Sequence, residues 1–500
     1  MRAWVLRAKT LWGCLACVAL LCLTGAPPTW AATDEIDPAA IDRVAAESFA
    51  ATRLPGMALA VTHGEDFLLV KGYGSAGGGR PVTASTQFRL ASLSKSFTAL
   101  AVLQLVDAGR VDLDAPIRRY LPTFTVADAG AADRITVRDL LNQTSGLADA
   151  GFDPNDGRST TISSRLAALR TARPVAGPGS EFHYFDPNYQ VLAALVQTIA
   201  GTPFADHLDR QVFEPLGMSS TLTAPTTQAA TALAPRLAQG HVLVFGQPVA
   251  RDELDGFAAG STGIVSTAED MARWLIAQAN GGQVGSRRVL SEEGVQMMHT
   301  PPSGIDTTYA MGWTVPGPGN GPVRLEHTGV LSTSFAEQVL LPEEGYGIAV
   351  LFDGNYALAD TVGVADRIAA LLAGGPPAGS FPRTLVVAVA LAVLTVVTLA
   401  LRGRAVLRRR AWANRHLRAP WWRLAPGLLW LLLPTALLVG LPALVLRTIG
   451  RAFTHEQLAL SMPDVIIWLG VGAVTGMGLA AARVITLIRL RRPQPRYVEP

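Results

Sequence analysis

The sequence predicts an α/β domain of the α+β type, an antiparallel sheet flanked by helices, followed by three transmembrane helices. Three observations carry this. Strand-like apolar runs lie at both ends of residues 33–382, and the stretch between them reads as helical. Three long apolar runs follow, Thr384–Leu401, Leu424–Leu446 and Val465–Ile488, each long enough to span a bilayer with modest tilt. Charge divides at the same boundary. Residues 33–382 hold 23 Lys and Arg against 36 Asp and Glu, whereas residues 383–500 hold 16 against 3. An acidic globule with a basic, apolar tail points to a lipid bilayer as partner and away from nucleic acid.

The strands come first. Met57–His63 and Asp66–Gly72 are joined at Gly64-Glu65 and read as a hairpin. Tyr309–Val315, Val323–His327, Ser334–Leu341 and Tyr346–Phe352 are four more, and short connections such as Pro342-Glu-Glu-Gly345 imply antiparallel pairing. A helix near Ala357–Leu372 follows them. Between the two groups, Ser92–Ala108 has helical apolar spacing at Leu93, Phe97, Leu100, Val102, Leu103 and Val106, and Gly109 ends it. A second helix runs from Pro187 to about Ala200, with Asp186 as N-cap, Pro187 at the first helical position and Gly201 at its end. The element order is not a repeating strand-helix-strand, which argues against a parallel dinucleotide-binding fold.

The ends agree on sidedness. Residues 1–32 read as a signal peptide: Arg2, Arg7 and Lys9, then the apolar run Leu11–Leu23, then Pro27-Pro28 and Ala31-Ala32. An uncleaved anchor is the alternative. All three cysteines (Cys14, Cys17, Cys22) lie in this segment, so a cleaved chain has no thiol and no disulfide framework. Eight arginines lie in the loop after the first span, between Arg402 and Arg423, but only Arg447 and Arg451 follow the second. Positive-inside then puts the first loop and the tail in the cytoplasm and the globular domain outside. None of the spans has a charge near its middle, so an anchor is favoured over an ion path. The organisation expected is a domain over residues 33–376, a linker over 377–383, a three-span anchor over 384–490 and a cytoplasmic tail over 491–500.

The chemistry begins with lysine. Only Lys9, Lys71 and Lys95 occur, beside 39 arginines. A retained lysine suggests a need that arginine cannot meet, and lysine can give up its proton where arginine cannot. Lys95 follows Ser92 by three residues at a helix start, so its amine can reach the hydroxyl. A serine sharpened by a neighbouring lysine is an established activation scheme. Taken alone, Ser-x-x-Lys is also what an N-cap followed by a solvated lysine looks like.

The context is more specific. Phe88-Arg-Leu-Ala-Ser92-Leu-Ser-Lys95-Ser-Phe-Thr-Ala-Leu100 resembles the nucleophile segment of the serine β-lactamase and penicillin-binding family, in its class C and DD-peptidase branch. The resemblance continues in order through Ile135–Leu147, Pro178–Tyr189, Phe213–Met218, Gly263–Leu275 and Glu326-His327-Thr328-Gly329. It implies that Ser92 forms an acyl-enzyme, that Lys95 takes or modulates its proton, and that Tyr184 helps move that proton to the leaving group. It also implies an oxyanion hole from the N–H groups of Ser92 and Val330, with Asp186, His327, Thr328 and Gly329 lining the site and His327 on an edge strand.

Two positions depart from the family pattern. Asp186 stands where Tyr-x-Asn has Asn, and a carboxylate beside Lys95 opposes its service as a base unless Asp186 only caps its helix. His327 stands where lysine is common, and a neutral imidazole suits a substrate carboxylate less well than an ammonium. No cofactor is expected. The eight histidines show no metal-binding spacing, and Gly77-Gly78-Gly79 reads as a turn. The reading is a membrane-anchored extracytoplasmic serine hydrolase acting on peptides, amides or esters, with a small-molecule or peptide substrate. The alternatives are a true β-lactamase and a non-catalytic penicillin-binding-like sensor or scaffold.

Overall fold

Residues 57–62 are buried without alternation, so this strand needs cover on both faces. The structure, a computed structural model describing residues 37–155, 159–316, 323–377, 379 and 382–492, shows what supplies it. The expected signal peptide, part of the linker and the end of the tail lie outside the described residues.

The domain opens with helix α1 (Pro38–Thr52) and the hairpin of β1 (Gly56–His63) and β2 (Asp66–Gly74). Three of its helices matter for the site: α2 (Ser94–Asp107), α3 (Asp186–Ala200) and α4 (Ala268–Ala279). The chain then returns to the sheet as β3 (Tyr309–Ala310), β4 (Trp313–Thr314), β5 (Leu325–Val330), β6 (Phe335–Leu341) and β7 (Tyr346–Phe352), and ends the domain with α5 (Val362–Leu372). The seven strands form one sheet in the order β3-β4-β5-β6-β7-β1-β2, antiparallel throughout. The last strand therefore pairs with the first, which joins the two ends of the domain. Helices α1 and α5 pack on each other and on the sheet, and α4 packs on β1 and β7. Gly347 of β7 is needed for that approach, since a Cβ there would sit 2.9 Å from Leu275.

The core fixes the rotation of α2. Phe97 stacks on Trp274 of α4 at 3.8 Å. Trp274 Nε1–H donates to Gln338 Oε1 of β6 at 3.0 Å, and Gln338 Nε2–H donates to Ser96 Oγ at 3.3 Å. Fully burying such an aromatic is worth about 1.5–3 kcal/mol, and here it also sets which way Ser92 and Lys95 point.

Several boundaries differ from expectation, each for a local reason. Ser92 lies in a 3₁₀ turn, Ala91–Leu93, and the α-helix begins at Ser94. Helix α3 begins at Asp186 itself, with Phe185 at the N-cap and no side-chain cap, so Asp186 is not the cap its position suggested. Its carboxylate is held elsewhere. Tyr309–Val315 is not one strand: Met311 and Gly312 turn at φ 29° and 90°. Gly312 is required there, because a Cβ would lie 2.6 Å from Ser96 N at the start of α2. The final helix starts at Val362, five residues later than expected.

Three long apolar helices follow: α6 (Arg383–Leu407), α7 (Trp421–Ile449) and α8 (Pro463–Arg491), each long and apolar enough to cross a membrane. A 3₁₀ turn at Trp430–Leu432 interrupts α7 just before Pro434, where a proline disturbs the helix as expected. The pair Gly472 and Gly476 faces that irregularity; a Cβ at Gly476 would sit 2.1 Å from the Leu431 carbonyl oxygen. The start of α8 is tied to the globular domain. Buried Asp464 accepts from Phe245 N–H at 2.7 Å and from Tyr356 O–H at 3.0 Å. Ala357 N–H donates to Ser461 O at 2.8 Å.

Candidate active site

The turn that carries Ser92 is pinned before the helix begins. Phe88-Arg89 pairs with Val265-Ser266, Leu90 N–H donates to Ile264 O at 2.9 Å, and Ile264 N–H donates to Ser94 Oγ at 3.0 Å. Ala91 is held at φ 49°, a conformation unusual for a residue with a Cβ. The turn leaves Ser92 half-buried while Lys95 has no exposed surface.

Lys95 Nζ reaches three oxygens. It donates to Ser92 Oγ at 3.1 Å and to Ser261 O at 3.1 Å, and it forms an ion pair with Asp186 Oδ1 at 2.6 Å. It also lies 4.8 Å from the centre of the Tyr184 ring. Tyr184 is half-buried, packed edge-on against Tyr309 and 6.3 Å from His327 between ring centres.

Strand β5 lies across this turn. At Gly329 a Cβ would fall 2.1 Å from the Leu90 carbonyl oxygen, so glycine sets the approach of the strand to the Ser92 turn. His327 Nδ1 lies 2.8 Å from Thr328 O, which makes Nδ1 the donor and leaves Nε2 of the neutral ring an acceptor. By strand order β5 is not the edge strand expected for His327, since β3 and β4 lie beyond it. The pairing with β4 stops at Glu326, so residues 327–330 are open on that side all the same. Val330 ends the strand half-exposed.

Ser92, Lys95, Tyr184, Asp186, His327 and Gly329 therefore meet in one place. The family model described as Beta-lactamase matches residues 41–373. The chain belongs to the Beta-lactamase family. Its relatives include "Penicillin-binding protein 4" of Amycolatopsis lactamdurans, 30% identical over 324 residues, 61% of this chain and 82% of that one. "Protein flp" of Staphylococcus aureus (strain N315) is 25% identical over 320 residues, 63% of each chain. The alignment thus spans just under two thirds of that second relative's length. Among solved structures, the octameric penicillin-binding protein homologue from Pyrococcus abyssi superposes with TM-score 0.58 at 22% identity, over 69% of this chain and 80% of that one. A penicillin binding protein from Bacillus halodurans gives 0.53 at 23%, over 64% and 95%. Those two likenesses establish the fold.

Within this Beta-lactamase-family site the charges are unevenly set. Burial pushes the Asp186 carboxyl up, but the nearby charges of Lys95 and Arg451 outweigh it and hold it well below the usual carboxylate range. Burial pushes the His327 imidazole down to about 3, and the charge of Lys95 adds to that. His327 is thus neutral over the whole physiological range. Among the described residues no group of three or more His, Cys, Asp or Glu could hold a metal ion.

Two members of the site were missed in the sequence. Arg451, from the connection between α7 and α8, enters it: Nη2 donates to Asp186 Oδ2 at 2.6 Å and Nε to Asp149 Oδ2 at 3.1 Å. Its guanidinium lies 4.7 Å from the centre of the Tyr184 ring. Asp149 is the second, its side chain fully buried; burial raises its carboxyl to about 6, against the pull of Arg451. The available signal was topological, because Arg451 is one of two arginines on the side where positive-inside expects few. Behind them, Gln143, at φ 61°, accepts from Phe185 N–H at 3.1 Å and from Asn188 Nδ2–H at 2.7 Å, fixing the turn that carries Tyr184 and Asp186.

Proposed function

We propose that this protein is a membrane-anchored serine hydrolase that works through an acyl-enzyme on Ser92, its domain facing outward from the cytoplasmic membrane. The observation that carries the reading is the 3.1 Å contact between Ser92 Oγ and the Nζ of a fully buried Lys95, in a chain of the Beta-lactamase family. Ser92 Oγ attacks a substrate carbonyl and its proton passes to Lys95. Tyr184, beside the amine, is the group suited to carry that proton on to the leaving alcohol or amine. The N–H groups of Ser92 and Val330 serve the oxyanion. Water then releases the acyl group.

The substrate class we infer is a peptide, amide or ester, with cell-wall-derived peptides among the peptides. Neutral His327 supports this over efficient β-lactam turnover, because it brings no cation to a substrate carboxylate on β5. A second reading, a penicillin-binding-like sensor, is favoured by one contact, the 2.6 Å pair of Lys95 with Asp186, which engages the amine with a carboxylate and opposes its service as a base to Ser92.

The test is labelling of the full chain in detergent with a fluorophosphonate and with a fluorescent penicillin, followed by a panel of esters, D-amino acid peptides and nitrocefin. Labelling that disappears in Ser92→Ala and is followed by turnover of an ester or peptide supports the hydrolase. Labelling that persists in Ser92→Ala, or is absent from the native chain, overturns it. A stable label without turnover selects the sensor.

A further inference from the structure

The connection between α7 and α8 does more than join two apolar helices. Asp186 presents its oxygens to two different cations, Oδ1 to Lys95 at 2.6 Å and Oδ2 to Arg451 at 2.6 Å. Arg451 is held for this contact from both sides. Asp149 Oδ2 accepts from its Nε and from the next backbone N–H, Ala452, at 2.7 Å. Asn155 Nδ2–H donates to Ala452 O at 3.0 Å and Asn155 Oδ1 accepts from Gln457 Nε2–H at 3.0 Å.

Docking of the anchor does not require this arginine. The α8 end of the connection is already fixed through Asp464 to Phe245 and Tyr356, and through Ser461 to Ala357. Nor does a solvent-facing charge explain it, since about three quarters of the Arg451 side chain is covered. Among the described residues the charged groups around Asp186 are Lys95, Arg451 and Asp149, two of each sign when Asp186 is counted; the titratable neighbours are Tyr184, and, through Lys95, His327. Remove Arg451 and the whole of the Asp186 charge falls on Lys95.

We propose that Arg451 is a positioning residue for acylation: by sharing the Asp186 carboxylate it relieves Lys95 of that charge, and the anchor so completes the catalytic site. This rests on the serine hydrolase reading. In the step concerned, the Ser92 O–H proton passes to the Lys95 amine as the Oγ–carbonyl bond forms. The bond to the substrate's leaving alcohol or amine then breaks, and the proton leaves with that group. With no second partner the Asp186 carboxylate bears wholly on the amine and opposes its service as a base to Ser92. Arg451 therefore answers the presence of a carboxylate where the family pattern has a neutral amide.

The experiment uses the full chain in detergent micelles, the fluorophosphonate probe, and second-order labelling rates from about pH 5 to about pH 10. Arg451→Ala should label about tenfold more slowly at neutral pH, with the rising limb of its pH profile moved up by about one pH unit. Arg451→Lys should recover part of the rate. Asp186→Asn placed on top of Arg451→Ala should restore the rate to within about threefold of Asp186→Asn alone and return the limb towards the native position, an outcome that lost packing does not give. The proposal is overturned if Arg451→Ala labels with the native rate and profile, or if its defect is unchanged in the Asp186→Asn background. Native chain and Ser92→Ala behaving alike is the separate failure of the hydrolase reading, and the proposal falls with it. Should Arg451→Ala not fold, the comparison of Arg451→Lys with the native profile decides, an unmoved limb counting against.

Discussion

Lys95 and Asp186 stand 2.6 Å apart, with no part of the lysine side chain exposed and about a fifth of the aspartate side chain exposed. A pair this deep is not retained for stability alone, since the cost of desolvating both charges rivals their attraction. What the pair does is fix the amine 3.1 Å from Ser92 Oγ.

The first prediction follows from that amine. Lys95→Arg keeps the charge and the ion pair but supplies a group that does not give up its proton in proteins. Labelling of Ser92 should fall by about 10²–10⁴-fold in Lys95→Arg, as for loss of a general base, while the melting temperature falls far less than in Lys95→Ala, which leaves Asp186 facing Arg451 alone. Equal labelling of Lys95→Arg and the native chain would show that Lys95 only orients Ser92.

Much of this was legible in the sequence, and the reasons are local. The hairpin at Gly64-Glu65 and the strands over Phe335–Leu341 and Tyr346–Phe352 were readable because apolar runs bounded by turns have few other outcomes. The Ser92–Lys95 contact was readable because one helical turn determines it. The break at Met311-Gly312 was not, because its cause is the approach of α2 from more than two hundred residues earlier. Asp186 read equally as a helix cap and as a partner of Lys95, and only the presence of Lys95 and Arg451 in space decides between them. Arg451 enters the sequence reading only as one of two arginines after the second span; nothing in its neighbours shows that the connection folds back onto the domain.

Histidine burial gives the second prediction. Burial takes His327 down to about 3, with Lys95 adding to it, and His299 down to about 4. A base whose folded value is depressed favours the fold fully above its unfolded value of about 6.5, and that advantage shrinks as pH falls towards the folded value. For His327 the loss approaches about 5 kcal/mol at the acid limit, at 1.36 kcal/mol per pH unit. Denaturation curves for the native chain and His327→Gln between about pH 7 and about pH 4 should therefore converge, the native chain losing stability faster. Parallel curves would mean that His327 is not held neutral.

A buried carboxylate works in the opposite direction. Asp353 accepts from Gly56 N–H at 2.8 Å through Oδ1, while among the described residues Oδ2 has only His241 Nδ1 at 3.7 Å, and burial raises its carboxyl well above the ordinary value. An acid with a raised folded value stabilises the fold at low pH and loses that contribution as pH rises through the folded value. Asp353→Asn keeps the acceptor for Gly56 and cannot ionise. It should match the native melting temperature at about pH 4 and exceed it at about pH 8. A lower melting temperature at the alkaline end would mean that the ionised carboxylate earns its place through the His241 contact.

The last prediction concerns the space between β5 and the Ser92 turn. A Cβ at Gly329 would lie 2.1 Å from the Leu90 carbonyl oxygen, 3.1 Å from Ala91 Cβ and 3.1 Å from Leu93 Cδ1. The nearest of these is backbone, held by Leu90 N–H donating to Ile264 O, so it cannot swing aside as a long side chain would. Gly329→Ala must therefore push β5 from the turn or distort Ala91, already at φ 49°. Either movement displaces Ser92 relative to β5, and a shift of about 1 Å in a catalytic group is worth about a hundredfold in rate. Gly256→Ala is the matched control, because a Cβ there meets nothing within 4 Å and its φ is not positive. We expect Gly329→Ala to fold, with a melting temperature lower by several degrees, and to label at least about a hundredfold more slowly, whereas Gly256→Ala labels as the native chain does. If the two variants label alike, then β5 does not set the position of Ser92, and the oxyanion role assigned to Val330 has no structural support.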